Sequence, residues 1–97
     1  MSGGHYDYVQ FRITDIVEQI KHDVESNGEI DSHNFQNPTL RKLLFIADLL
    51  NLSADLAKDA DWLYSGDDGE DTFNEHFDAR FTFLRKLAAR GHENYHV

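Results

Sequence analysis

Cysteine is absent from this sequence, and basic residues are half as numerous as acidic ones. Without cysteine the chain has no disulfide scaffold, no thiolate zinc site and no cysteine nucleophile, and it suits a reducing compartment. Nine Lys and Arg residues against eighteen Asp and Glu residues give a net charge of −9. Because this charge repels phosphate backbones, direct nucleic-acid binding is not expected, and a basic partner is favoured over an acidic one.

Long hydrophobic runs are absent as well. The first residues hold neither a basic segment nor an apolar stretch of signal-peptide length, and no later run approaches the length of a membrane span. We therefore expect an intracellular, cytoplasmic protein that does not contact a membrane.

The apolar content is sufficient for a folded core. Hydrophobic residues make up 40% of the 97 residues and aromatic residues 12%, which is too many for a disordered acidic chain. A domain of this length buries only a modest fraction of its surface, so self-association into a homo-oligomer is a further expectation.

Three segments carry apolar residues at three- and four-residue spacings, which predicts an all-α fold, a three-helix antiparallel bundle in a single domain. The predicted helices cover residues 6–26, 38–64 and 71–90. Residues 1–5 are expected to form a flexible start and residues 92–97 a loose tail. The middle helix is long for such a short domain.

Turn-forming residues mark the ends of these helices. Asn37 is expected to cap the second helix, with Pro38 at the first helical position, where its missing N–H costs nothing. Gly66 is expected to end that helix in the left-handed conformation. Asp68 or Asp71 is then expected to cap the third helix.

The middle helix carries two apolar faces. At 100° per residue, one set of apolar residues falls on one arc and a second set falls nearly opposite. The first set is Phe45, Leu49, Leu52, Leu56 and Leu63, and the second set is Leu43, Ile46, Ala47, Leu50, Ala54 and Ala57. Arg41, Asp48, Asp55 and Asp59 share a strip between the faces, which we expect water to reach. Two faces require two partners. Either the first and third helices pack on one face and a second subunit on the other, or the chain is a monomer whose own helices lie on both sides.

Negative charge is concentrated in the loop from residue 65 to residue 71, which holds four carboxylates and two glycines. Hard cations prefer several oxygen ligands, but either glycine at the central turn of a calcium loop would put Leu63 or Tyr64 at a ligand position. We therefore expect no metal and no cofactor. Histidines are scattered and no nucleophile motif is present, so the sequence does not indicate an enzyme.

The N-terminal segment is a second candidate binding element. The Ser-Gly-Gly triplet at residues 2–4 lets backbone N–H groups approach an anion at the start of a helix. Tyr6, Tyr8 and Trp62 offer ring faces on which a base can stack. The residues expected to bind a ligand or a partner are Ser2, Gly3, Gly4, Tyr6, Tyr8, Arg12, Trp62, Ser65, Gly66, Asp67, Asp68, Gly69 and Asp71.

Two stretches of the sequence form a recognisable pair, Ser2-Gly3-Gly4-His5-Tyr6-Asp7-Tyr8 and Asp61-Trp62-Leu63-Tyr64-Ser65-Gly66-Asp67-Asp68-Gly69-Glu70-Asp71. Together they resemble a group of small phage- and prophage-borne bacterial proteins. Members of this group begin with Ser-Gly-Gly and an aromatic cluster and later carry an acid-Trp-x-x-Ser-Gly-Asp-x-Gly-x-Asp element. His5 stands where the group more often has Ser or another small polar residue. The resemblance implies a mobile-element protein in a bacterial host cell, and it implies no reaction.

By analogy, such a setting favours a non-enzymatic accessory protein that antagonises or modulates a host system, such as a defence system. Its acidic loop would bind a basic surface of a host protein. One alternative is a sponge for a nucleotide-like signalling molecule, in which Arg12, Arg80 or Arg85 neutralises phosphate. Stacking would then fall to Trp62 or Tyr8. A second alternative is a divalent-cation-dependent enzyme.

Overall fold

The computed structural model describes residues 9–96, with side chains from residue 12 onward. Within that range it contains three helices, α1 (Val9–Glu25), α2 (Asn37–Ser65) and α3 (Glu70–Arg90), and no strand. The prediction of an all-α fold with three helices is confirmed. α2 is one residue longer at each end than expected, α3 begins one residue earlier and α1 ends one residue earlier. The expected start of the first helix and the five residues before it lie outside the described range.

Two of the predicted helix caps are wrong. The N-cap of α2 is Gln36 rather than Asn37. The N-cap of α3 is Gly69, so neither Asp68 nor Asp71 caps that helix. Neither N-cap residue makes a side-chain cap bond. Neither Asp68 nor Asp71 is therefore engaged as the N-cap of α3.

The connector between α1 and α2 is organised by Asn27. Its side-chain amide donates to the Phe35 carbonyl at 3.1 Å, and its Oδ1 accepts the Phe35 N–H at 2.8 Å. The backbone N–H of Gly28, at φ +88°, donates to the His33 carbonyl at 2.7 Å. The His33 ring also stacks on Phe35, with centroids 4.8 Å apart. The beginning and the end of the connector are therefore held together by these contacts.

α2 buries two stripes of side chains. The first stripe has a seven-residue spacing and consists of Leu40, Ala47, Ala54 and Asp61, and the second has the same spacing and consists of Leu52 and Asp59. At 100° per residue the second stripe lies about 140° around the helix from the first. The two stripes therefore require covering elements on nearly opposite sides of α2.

Helices of the same chain cover both stripes. Arg80 of α3 bonds to Asp59, which places the second stripe against α3, and α1, whose Val17 is 1% exposed, packs on the other side. In the described residues no Cα atom of α1 lies within 8 Å of a Cα atom of α3. The expectation that water reaches Asp59 is wrong, because α3 packs over it and leaves it 3% exposed. Asp55 on the same strip is exposed.

The helices consequently form a single layer with α2 in the middle. The backbone extends 48 × 29 × 11 Å along its principal axes, and 11 Å is about the thickness of one helix. No helix in the described part of the chain is both long and apolar enough to cross a bilayer.

Tyr95, in the segment expected to be a loose tail, bonds to Asp48 of α2. The Tyr95 hydroxyl donates to the Asp48 carboxylate and accepts a bond from Arg90 at 2.7 Å. The Arg90 guanidinium lies 4.6 Å from the centroid of the Tyr95 ring. These contacts tie the end of α3 to the first half of α2.

Replacing Tyr95 with Phe should lower the free energy of unfolding by about 1 kcal/mol at pH 7, because it removes these hydrogen bonds. Burial, followed by the bond to Asp48, raises the pKa of Tyr95. A raised pKa in the folded state stabilises the protein below the unfolded value of about 10, and this stabilisation is lost as the pH rises above it. In urea unfolding, the difference in the free energy of unfolding between the wild type and Tyr95→Phe should therefore shrink above about pH 10. A difference that does not change with pH would contradict the hydrogen bonds of Tyr95 described above.

Candidate functional site

The acidic corner, defined as residues 65–71, is where the chain turns from α2 into α3. Gly66 ends α2 at φ +82°, as predicted, because a residue without Cβ adopts this conformation at little cost. Its N–H donates to the Leu63 carbonyl at 3.2 Å, and the Asp67 N–H donates to the Trp62 carbonyl at 3.0 Å. Gly69 then starts α3 in an extended conformation. The loop is therefore fixed by backbone bonds rather than by its carboxylates.

Three carboxylates of the acidic corner project into solvent. Asp67, Glu70 and Asp71 are exposed, and none of them forms an ion pair with another described residue. Glu70 and Asp71 stand in the first turn of α3, where the helix dipole favours negative charge. The corner thus presents uncompensated negative charge on a rigid turn.

Asp68 differs from its neighbours because it points inward. Its side chain is 16% exposed, and its Oδ2 lies 3.9 Å from Nδ1 of His76. The same His76 nitrogen lies 3.6 Å from Oδ1 of Asp59. His76 therefore stands between a carboxylate of the loop and a carboxylate of α2.

Behind the acidic corner lies the ion pair between Asp59 and Arg80. Nε of Arg80 donates to Oδ2 of Asp59 at 3.0 Å, and a terminal nitrogen donates to Oδ1 at 3.4 Å. The hydrogen bond to Asp59 raises the pKa of Arg80, and burial opposes that shift. Because Asp59 is almost fully buried, this two-pronged contact supplies the compensation that a buried carboxylate requires.

The remaining predicted binding residues are placed as follows. Trp62 is half-buried in the last turns of α2, with Nζ of Lys58 4.7 Å from its ring centroid. Ser65 is exposed, and its hydroxyl lies 3.5 Å from Oδ1 of Asp61. Arg12 is exposed on α1. The predicted residues outside the described range are Ser2, Gly3, Gly4, Tyr6 and Tyr8, so their expected place beside Trp62 stays a prediction.

A shallow groove of about 310 Å³ runs between α2 and α3 beyond the ion pair. Its α2 side is formed by Asp48, Asn51, Leu52 and Asp55, and its α3 side by Ala79, Arg80 and Phe83. Asp48 is paired with Arg90 and Arg80 with Asp59, so Asp55 is the one charged residue of the lining that forms no ion pair with a described residue, and the groove is weakly acidic. It suits a cationic side chain better than a phosphate.

Sequence reasoning did not predict the burial of Asp59 and Asp61 or the contacts of His76 and Arg80 with Asp59. Arg80 was expected only as a phosphate ligand, and Asp59 only as part of a strip that water reaches. A signal was present, because Asp61 continues the seven-residue spacing of Ala47 and Ala54, and Asp59 continues that of Leu52. In residues 9–96 no three His, Asp or Glu side chains are arranged to hold a metal ion.

Comparison with known proteins adds no family to this description. The chain matches no protein-family model, no curated protein and no solved structure.

Proposed function

We propose that this protein is a non-enzymatic binding protein that antagonises or modulates a bacterial host system by seating its acidic corner on a basic surface of a host protein. The observation that carries the proposal is the set of three exposed carboxylates, Asp67, Glu70 and Asp71, which form no ion pair with any described residue and stand on a backbone-fixed turn. The surrounding segment adds to it, because residues 48–78 hold ten acidic residues and one basic residue, Lys58. Such a field steers association with a cationic partner and rejects anionic ones.

We further propose that α2 and α3 pack antiparallel. This packing is supported by two ion pairs, Asp59 with Arg80 and Asp48 with Arg90. Moving toward the N-terminus on α2 corresponds to moving toward the C-terminus on α3. In this arrangement α3 carries its basic residues away from the acidic corner, so the corner keeps its negative field.

Reversing two charges of the acidic corner tests the proposal. The double variant Asp67→Lys/Asp71→Lys should bind the host partner roughly 100-fold more weakly. The long-range attraction that speeds association and the short-range attraction in the complex both become repulsion. Affinity capture from bacterial lysate with mass spectrometry identifies the partner, and calorimetry with the purified partner at low and high salt measures the loss.

The matched control is Asp15→Lys/Glu18→Lys, which changes the net charge equally on an exposed surface of α1. This control should retain most of the affinity. Equal losses in both double variants would show that only net charge matters and would remove the acidic corner as the binding site. Thermal melts of both variants verify that each remains folded.

The alternative of a sponge for a nucleotide-like signal has less support. Arg80, one of its proposed phosphate ligands, already bonds to Asp59, and Arg85 lies 6.0 Å from the Phe81 ring on α3. A thermal-shift screen with cyclic dinucleotides, adenine nucleotides and divalent cations separates the classes, because a true ligand stabilises by mass action. Stabilisation by a nucleotide would favour the sponge, and turnover of any screened compound would overturn the non-enzymatic proposal.

A further inference from the structure

Acidic residues of α2 meet arginines of α3 along the seam between the two helices. Oδ2 of Asp59 lies 3.0 Å from Nε of Arg80, and Oδ2 of Asp48 lies 3.3 Å from a terminal nitrogen of Arg90. The two pairs are eleven positions apart on α2 and ten positions apart on α3. Positions on the two helices therefore correspond nearly one to one between these pairs.

Asp55 lies between the two pairs and faces an aromatic ring. It follows Asp48 by seven positions on α2, and in the antiparallel packing proposed above the seventh position before Arg90 on α3 is Phe83. Asp55 and Phe83 both line the groove of about 310 Å³. The carboxylate of Asp55 is exposed and forms no ion pair with a described residue. A phenylalanine thus stands where the neighbouring positions of α3 provide a guanidinium.

Arg80 does not neutralise Asp55, although it lines the same groove. Its guanidinium donates both of its hydrogen bonds to Asp59. The pKa of Arg80 is raised first by the hydrogen bond to Asp59 and last by the charge of Asp55. The oxygens of Asp55 therefore remain open to a cation from outside the chain.

The other residues of the groove suit the remaining parts of an arginine side chain. Leu52, which is 5% exposed, gives the groove an apolar base, and the Phe83 ring is 50% exposed. The chain already contains such an arrangement at Arg90. That guanidinium donates to the Asp48 carboxylate and lies 4.6 Å from the centroid of the Tyr95 ring. A carboxylate beside an aromatic ring holds a guanidinium by charge and by its planar face.

We propose that this groove binds an arginine side chain on the basic surface of the host protein. The guanidinium donates to Asp55 and lies on the Phe83 ring, and its apolar stem lies along Leu52. Arginine fits better than lysine, because a planar guanidinium both pairs with a carboxylate through two N–H groups and stacks on a ring.

The inference rests on the proposed function for the protein that carries the arginine. Asp55 is eleven residues before Gly66, which is about 16 Å along α2. One basic surface of ordinary interface size can therefore contact both the groove and the acidic corner.

A single arginine side chain serves as the probe. The isotope-labelled protein is titrated with N-acetyl-L-argininamide and followed by NMR at an ionic strength of about 0.15 M, which screens non-specific attraction. The largest shift changes should fall on residues 51–55 and 79–83, with a dissociation constant of about 1 mM, as expected for so small a ligand. N-acetyl-L-lysinamide should bind at least about fivefold more weakly.

Two pairs of matched variants locate the contacts. Asp55→Asn should raise the dissociation constant of the arginine probe at least about tenfold. Asp15→Asn, which removes the same charge from an exposed position of α1, should leave it within about twofold. Phe83→Leu should raise it about threefold by removing the ring face. Phe81→Leu should leave it unchanged, because Phe81 has nearly the same exposure, 48%, but does not line the groove.

Equal binding of the arginine and lysine probes would show attraction to negative charge alone and would overturn the proposal. Shift changes centred on the acidic corner, or equal effects of Asp55→Asn and Asp15→Asn, would also overturn it. Circular dichroism verifies that each variant is helical. Neither Asp55 nor Phe83 belongs to the acidic corner. A host partner that loses affinity for the corner double variant but not for Asp55→Asn would keep the proposed function and remove the groove from the interface.

Discussion

Replacing Arg80 with Met should lower the free energy of unfolding by about 3 kcal/mol, because it strips a buried carboxylate of its compensating charge. Asp59 is 3% exposed and receives both hydrogen bonds from this guanidinium. Met matches the apolar stem of Arg in length, so the loss arises from the unpaired charge rather than from a cavity. Urea denaturation at pH 7 measures the difference.

Two companion variants make the prediction specific. Asp59→Leu combined with Arg80→Met should return to within about 1 kcal/mol of the wild type, because replacing both partners by apolar groups leaves no buried charge. Arg90→Met should cost about 1 kcal/mol, since its pair with Asp48 is half-exposed on both sides and weakened by solvent. A small effect of Arg80→Met alone would show that water reaches Asp59 in solution.

Local sequence pattern was sufficient for the helices but not for their partners. Apolar spacing and Gly66 indicate where α2 runs and where it ends, because both depend on neighbours along the chain. The burial of Asp59 depends on Arg80, which is 21 positions away. The seven-residue spacing from Leu52 signals a covered position, but it does not identify the residue that compensates the charge. Amphipathic pattern shows that a helix face is covered, and it does not show which element covers it.

The candidate site also combines features that depend on neighbours along the chain, which could be predicted, with features that depend on tertiary packing, which could not. Asp67 and Asp71, two of the three exposed carboxylates of the acidic corner, were among the predicted binding residues, because a run of acids and glycines between two helices favours a charged turn. The inward turn of Asp68 toward His76 was not predicted, since it requires α3 to pack at a specific angle against α2. The prediction of an Asp cap for α3 failed because the backbone at Gly69 starts the helix without help from a side chain.

Replacing Ala47 with Leu should lower the free energy of unfolding by about 3 kcal/mol, because the added carbon atoms have no space between α1 and α2. Ala47 is 1% exposed in the first buried stripe of α2, and Val17 of α1 is equally buried. Small residues at seven-residue spacing let two helices approach closely, and Ala54 continues that arrangement one step further. A Leu side chain here must either push α1 away or leave its preferred rotamer.

Ala89→Leu is the matched control, since it adds the same atoms at an exposed position near the end of α3. It should change stability by less than about 0.5 kcal/mol. Urea unfolding of both variants decides the point, and similar values would mean that α1 does not lie close to α2 at Ala47.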